Sequence, residues 1–319
     1  MAERGPSVSI VMPVLNEAAM LPECLESVVA QDYPNIEEII IADGGSTDGT
    51  CEIAGRFEKV KVVDNPRRNR PAGLNVAIAH ASGEVIVRVD ARTRLATDYV
   101  RRCVEALERS HAAIVGGPMR FSCENAKQRG IAAAMMSRLG AGPAEFRRLG
   151  GEPRFVDTVY LGAFRKEITA ALGGYDEWSG GNEDAELAYR AQTVGGVYLD
   201  PVIRSRYVVR GHLRELARQF HRYGRNRALT IRMHPCSLSA RQLAVPALFV
   251  GLTAPRSRRS VALSYASLIL GRAAGLALSD PPAAPTFAMA VPTMHLAWGS
   301  GLLMGLCRGR TRRGVRTHG

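Results

Sequence analysis

Three clusters of polar residues follow directly on apolar runs: Asn16-Glu17 after VSIVMPV, Asp43-Gly44-Gly45-Ser46-Thr47-Asp48-Gly49-Thr50 after EEIIIAD, and Asp90 near the end of EVIVRVDA. A carboxylate at a strand end, such as Asp43, accepts hydrogen bonds from a nucleobase or ribose, and neighbouring glycines let a ligand approach the backbone. The same loop also suits an ordinary surface turn, with Thr47 or Asp48 capping the helix that follows. No GxGxxG separates the first apolar run from its helix, and the P-loop pattern is absent. Both common backbone cradles for phosphate are therefore missing. What remains is a nucleotide site read by carboxylates and side chains, with the diphosphate handled elsewhere. Farther on, Asn182-Glu183-Asp184 has the composition of a helix N-terminus, a capping residue followed by acidic side chains.

These clusters need a scaffold that brings them to one edge. From Ser7 to about Gly117, short β-branched runs alternate with amphipathic stretches (Ala18 to Ala30, Thr50 to Phe57, Pro71 to His80, Tyr99 to Glu108). That rhythm is the βαβ signature of an α/β, doubly wound, mostly parallel sheet, buried on both faces. Ligands of such sheets sit at the carboxyl ends of the strands, where all three clusters fall. Gly117 to Tyr207 is less regular, and its glycine pairs at 150–151, 173–174 and 180–181 suggest loops closing over that edge. A helix is expected over Leu213 to Met233, with Arg214, Arg218, Arg222 and Arg225 on one face.

Beyond Arg241 the composition turns apolar. Leu243 to Ala254 is too short to span a bilayer, whereas 261–279 and 284–307 each approach the ~20 residues a crossing helix needs. Basic flanks (Arg256, Arg258, Arg259; Arg308 to Arg316) enclose the pair, while the link Asp280 to Pro285 is not basic, so the positive-inside rule places both ends in the cytoplasm. Arg272 within the first span opposes this reading, and a buried helical subdomain is the alternative. The expected organisation is a catalytic domain over 1–235 and a membrane-associated region over 236–319 with a basic cytoplasmic tail. Met1 to Pro6 lacks the basic-then-apolar layout of a signal peptide, and the six cysteines form no CxxC pair, which fits a reduced cytosolic setting.

The net charge of +12 is concentrated at Arg204 to Arg232 and Arg308 to Arg316. Guanidinium forks suit phosphate of any origin, whether nucleic acid, anionic lipid or phosphorylated substrate. A nucleic-acid surface would need aromatic residues interleaved on an exposed sheet or a groove-reading motif; neither is found. His111, His212, His221 and His234 show no metal-ligand spacing.

The ordered set PVLNE, DGGSTDGT, Arg70 to Asn75 with Gly83-Glu84, and a strand ending in Asp90 resembles the family 2 glycosyltransferases of the GT-A fold, over roughly residues 7 to 235. Within that family the chain is most similar to the succinoglycan-type exopolysaccharide glucosyltransferases, whose catalytic domain is followed by membrane helices. The resemblance implies that Pro13, Asn16, Glu17 and Asp43 hold the nucleoside, with Ser46 and Asp48 nearby, and that Arg70 and Asn75 shape the donor pocket. Asp90 matches the first carboxylate of the family's DxD metal motif, but Asp90-Ala91-Arg92 has arginine at the second. Magnesium or manganese takes oxygen ligands and can draw most of them from diphosphate and water, so a divalent cation is expected at Asp90, with Arg92 able to neutralise the diphosphate directly. Glu183-Asp184 resembles the family's base motif; Asp184 is the expected base, with Glu183 as fallback. Gln219-Phe220-His221-Arg222-Tyr223 resembles its QxxRW motif, which brings Gln219, Arg222 and Tyr223 to the donor diphosphate or the acceptor. The bland reading of that segment is one turn of a basic helix on lipid headgroups. Trp178 offers a ring for sugar stacking, or is simply a half-buried loop tryptophan.

The expected activity is inverting transfer of a hexose from a nucleotide-diphosphate sugar, UDP-glucose by resemblance, to a lipid-linked glycan at the inner face of the cell membrane. The alternatives are a catalytically degenerate module serving assembly, and a polyprenyl-phosphate sugar synthase.

Overall fold

The computed structural model describes residues 5–141, 146, 150–178, 181–238 and 240–307. The basic tail beginning at Arg308 and Gly180 of the third glycine pair lie outside these residues.

Strands β1 (Val8–Val14), β2 (Ile36–Asp43), β3 (Val60–Asp64) and β4 (Val85–Arg88) pair in parallel in the order β3-β2-β1-β4. Their connections carry α1 (Leu21–Val29), α2 (Thr50–Ala54) and α3 (Arg70–His80). A three-stranded sheet begins with β5 (Thr93–Leu95), which leads into α4 (Tyr99–Ser110), and β6 (Ile114–Gly117) follows in the large sheet. β7 (Met119–Ser122) joins the small sheet, and α5 (Ala126–Met136) follows. β8 (Arg154–Val156) and β9 (Tyr160–Arg165) return to the large sheet, completed by β10 (Val197–Leu199) after α6 (Lys166–Ala171) and α7 (Glu183–Ala191). The eight strands run β3-β2-β1-β4-β9-β6-β10-β8, with β9 and β8 antiparallel to their neighbours. β11 (Ser205–Val208) fills the centre of the small sheet, beside β5 and β7.

The continuous apolar strands are buried on both faces, as expected of a doubly wound sheet: Ile10, Met12, Ile39 and Ile41 enter one core, and Val11, Ile40 and Ile86 the other. β4 ends at Arg88, so Asp90 sits on the loop beyond it rather than in the strand.

The C-terminal part holds α8 (Leu213–Met233), α9 (Ala240–Thr253), α10 (Arg258–Ala277) and α11 (Ala284–Cys307). Among the described residues, α10 alone is long and apolar enough to cross a membrane. α11, the second expected span, instead packs along α8 and α5. A third core joins Ile131 and Met135 of α5, Leu216 and Phe220 of α8, and Phe287, Val291 and Met294 of α11. Close approach rests on glycine: a Cβ on Gly224 of α8 would collide with the Trp298 carbonyl, and one on Gly301 with the His221 carbonyl.

Candidate active site

The loops after β1 and β2 clasp each other. Asn16 has a left-handed backbone (φ 53°); its N–H donates to Ser46 Oγ at 2.8 Å, and its Oδ1 accepts from Thr47 N–H at 2.9 Å. Glu17 N–H donates to Thr50 Oγ1 at 3.0 Å, and Ala18 N–H to Asp48 Oδ2 at 3.1 Å. Asp43 accepts from the N–H groups of Gly45 and Ser46, both at 2.9 Å, and from Ser46 Oγ at 2.5 Å. Burial alone would raise the Asp43 carboxyl, but the bonds from Ser46 and Gly45 outweigh it and hold the carboxyl below its usual range. Asn16, Asp43, Ser46 and Asp48 thus spend their hydrogen bonds on each other and on the loop backbone. Pro13, Glu17 and Gly44 face the adjoining cavity of about 960 Å³.

The cavity lies at the strand ends, as expected, and a charge cluster forms its floor. Arg88, buried at 2 % exposure, donates from Nη2 to Glu183 Oε1 at 2.8 Å and to Asp90 Oδ1 at 3.2 Å, with Tyr175 beneath its guanidinium. Burial works against that charge, yet Asp90 and Glu183 hold Arg88 well above its ordinary pKa. Arg70 approaches the same carboxylates at 3.8 Å from Asp90 and 3.7 Å from Glu183. Arg92 pairs with Glu17 at 3.4 Å. Arg88 belongs to none of the sequence motifs described above. The available signal was a lone arginine inside the apolar run VIVRVD, a residue that a buried strand keeps only when it is paired.

Asp184 stands at the head of α7 with its carboxyl on the cavity, accepting from the Ala185 N–H at 2.8 Å. Burial, reinforced by the Glu183 charge, raises its pKa above the usual carboxylate range. Glu183 is 1 % exposed and bound to Arg88. The two neighbours are thus divided: one is locked into the floor, the other faces the cavity. Asn182 does not cap the helix through its side chain; it donates instead to Thr230 Oγ1 of α8 at 2.9 Å, tying the helix head to the far wall.

That wall is α8. Gln219, Arg222 and Tyr223 line the cavity, with Gln219 Nε2 donating to the Tyr223 hydroxyl at 2.7 Å. Arg210, from the turn before α8, also lines it. Besides Asn16, Asp43, Ser46, Asp48 and Glu183, two more expected residues lie outside the cavity lining. Asn75 bonds the Tyr175 backbone twice, N–H to Oδ1 and Nδ2 to carbonyl, both at 2.8 Å, so its visible work is holding the segment ahead of α7. Trp178 is 74 % exposed, outside the cavity lining, with Arg67 at 5.9 Å over its ring.

Among the described residues, no three His, Cys, Asp or Glu side chains converge as a wholly protein-held ion requires. Asp90 nevertheless offers one oxygen. Its Oδ2 lies 3.5 Å from Arg88 and 3.8 Å from Arg70, contacts loose enough for a hard cation to displace, the remaining ligands coming from diphosphate oxygens and water. The donor set fits an ion shared with a ligand.

Residues 9–172 match the model of the family described as Glycosyl transferase family 2. The chain is 34 % identical, over 92 % of its length and 92 % of the relative's, to the succinoglycan biosynthesis protein ExoA of Rhizobium meliloti (strain 1021). It is 28 % identical, over 70 % of the chain and 74 % of the relative, to a dolichyl N-acetyl-alpha-D-glucosaminyl phosphate 3-beta-D-2,3-diacetamido-2,3-dideoxy-beta-D-glucuronosyltransferase of Methanococcus voltae. In fold it is similar to the mannosyltransferase PcManGT of Pyrobaculum calidifontis, solved with GDP-Man and Mn2+ (TM-score 0.61, 20 % identity, 96 % of this chain and 88 % of that one). It is likewise similar to S. aureus TarS 1-349 (TM-score 0.56, 16 % identity, 92 % and 90 %).

Proposed function

The chain belongs to glycosyl transferase family 2, and from that premise we propose that it moves a hexose from a nucleotide-diphosphate sugar, UDP-glucose first among candidates, to a lipid-linked glycan in exopolysaccharide biosynthesis. The observation that carries the mechanism is the division between Glu183, buried against Arg88, and Asp184, open to the cavity with a raised pKa.

A sugar hydroxyl is a poor nucleophile, and a carboxylate with an elevated pKa is the better proton acceptor for it. Asp184 takes the hydroxyl proton as the acceptor oxygen forms its bond to the anomeric carbon. The bond to the nucleoside diphosphate breaks on the opposite face, and the configuration inverts. Arg70 and Arg92 meet the departing diphosphate, and Arg88 keeps Asp90 and Glu183 in place below it. A divalent cation held at Asp90 would supply further charge neutralisation to the diphosphate. Pro13, Glu17 and Gly44 face the nucleoside, while Asn16, Asp43, Ser46 and Asp48 shape the two loops that present them.

Support for a lipid-linked acceptor comes from the Methanococcus voltae relative, whose name specifies a dolichyl-linked acceptor, and from the exposed apolar surface of α10, where Leu263, Leu268 and Leu270 are each more than half exposed. The domain boundary near residue 235 and the cytoplasmic placement of the catalytic part remain components of this proposal. Its test is nucleotide release and sugar transfer by the detergent-solubilised full chain across a panel of nucleotide sugars, with membrane lipid extract as acceptor. Release of one nucleoside diphosphate, suppressed by chelator and restored by Mn2+ or Mg2+, is the expected result. Silence across the panel would leave only a non-catalytic role.

A further inference from the structure

The strand-end loops and the floor cluster occupy one side of the cavity; the other side runs along α7. Ala185, Tyr189 and Gln192 all line the cavity and recur at i, i+4 and i+7, so one face of the helix is presented to it beyond Asp184. From Asp184 to Gln192 that face extends about 12 Å, longer than a single sugar ring. The sheet sets its direction. Glu183 at the head of α7 meets Arg88 of β4, whereas Gln192 past its last turn donates to the Val156 carbonyl of β8 at 3.1 Å, and β8 is the edge strand on the side away from β1 and β2. The groove therefore leads from the proposed base away from the nucleoside loops.

The chemistry of its walls identifies the occupant. Besides the α7 face, Thr158 of the β8–β9 loop and Gln242 of α9 line this part, with Asp157 and Arg227 as its charged members. Amides and hydroxyls donate and accept at once, as the hydroxyls of a sugar do. Tyr189 adds an aromatic face, 38 % exposed, against which the C–H face of a pyranose packs. That ring is held from behind: His234 lies 4.9 Å away between ring centroids, its Nε2 is 3.1 Å from Glu186 Oε1, and Arg190 donates to the Glu186 carboxylate at 2.7 and 2.6 Å. A ring fixed in advance loses little freedom when a ligand stacks on it. A polyprenyl phosphate without sugars has no ring to lay there.

Resting on the transferase reading above, we propose that the α7 face beyond Asp184 is a glycan subsite, in which the sugar next to the reacting one stacks on Tyr189 and exchanges hydrogen bonds with Gln192. The acceptor is then an oligosaccharide of at least two linked pyranoses, recognised through its second ring as well as through the hydroxyl at Asp184.

Saturation-transfer NMR on the detergent-solubilised full chain tests this, with glucose, cellobiose, cellotriose and lactose as probes and UDP titrated separately. Affinity should rise about tenfold from glucose to the best oligosaccharide, because a second ring buries further C–H surface on Tyr189. Tyr189→Ala should remove that gain and Tyr189→Phe should keep it. Both variants should change UDP affinity less than about threefold, since the strand-end loops are a separate site, and retained UDP binding also reports an intact fold. The proposal is overturned if the oligosaccharides bind no better than glucose, if Tyr189→Ala keeps the gain, or if that variant loses UDP by the same factor. A length-dependent gain through Tyr189 in protein that binds neither UDP nor GDP upholds the glycan subsite and sinks the transferase reading; UDP binding without the gain does the reverse.

Discussion

The chemistry turns on how neighbouring residues divide their tasks. Glu183 and Asp184 are adjacent carboxylates, yet one is sealed against Arg88 and the other opens to the cavity. On the proposed mechanism the base works deprotonated, so transfer should be present above the folded-state pKa of Asp184 and be lost as pH falls through it. Because burial raises that pKa, the acidic limb of kcat/KM against pH should lie above the usual carboxylate range, and Asp184→Asn should abolish the limb and cost about 10²- to 10⁴-fold in rate. The same raised pKa means the folded state holds this proton more tightly than the unfolded chain, so this group favours folding at low pH and that contribution fades as pH rises through the folded value. Arg88 poses a different question. Removing one member of a buried ion pair strands its partner, here Glu183, without solvent, so Arg88→Met should lower stability by about 3–5 kcal/mol, read as a fall in Tm. Arg88→Lys should recover part of it, since the ammonium keeps the charge but cannot span Asp90 and Glu183 with one planar fork.

Among the elements, the pairing of α8 with α11 decides the far wall of the site. α11 contributes Met294 and Trp298 to the cavity, and it reaches that place because Gly224, Gly301 and Gly305 let the two backbones approach. Gly224→Val should separate the helices, since its side chain would meet the Trp298 carbonyl. The expected outcome is a lower Tm and loss of transfer with nucleoside diphosphate affinity largely kept, because the strand-end loops do not depend on α11. Equal loss of both would show that the wall and the loops are not separable. The clasp between the first two loops is an independent unit, held by bonds among Asn16, Asp43, Ser46, Asp48 and Thr50.

Across the whole molecule, exposed apolar side chains gather on the C-terminal helices: Leu263, Leu268, Leu270 and Leu278 on and after α10, and Met289, Leu296 and Leu303 on α11. Arg214, Arg218 and Arg225 form an exposed row on α8, the arrangement that anionic headgroups attract. The protein should therefore sediment with membranes, resist extraction by high salt and release with detergent. Full release by salt alone would reduce the association to electrostatics, and recovery in the soluble fraction would remove the membrane from the proposal.

Period and position in the sequence determined a good deal: the apolar runs of the parallel strands, the polar residues at their carboxyl ends and the span of α8 all follow from local pattern, because strand burial and helix periodicity are written into consecutive residues. The family was legible for the same reason, its motifs being short and ordered along the chain. Tertiary structure alone decided which carboxylate is free, since Glu183 and Asp184 differ only in what lies across from them, and Arg88 is 95 residues away in sequence from its partner. It also decided that Asn75 braces Tyr175, that Arg210 and Arg222 both line the cavity, and that α11 lies along α8 instead of standing apart as a second span. Composition reports how apolar a helix is. Whether its small residues find a partner backbone depends on a surface assembled from distant parts of the chain.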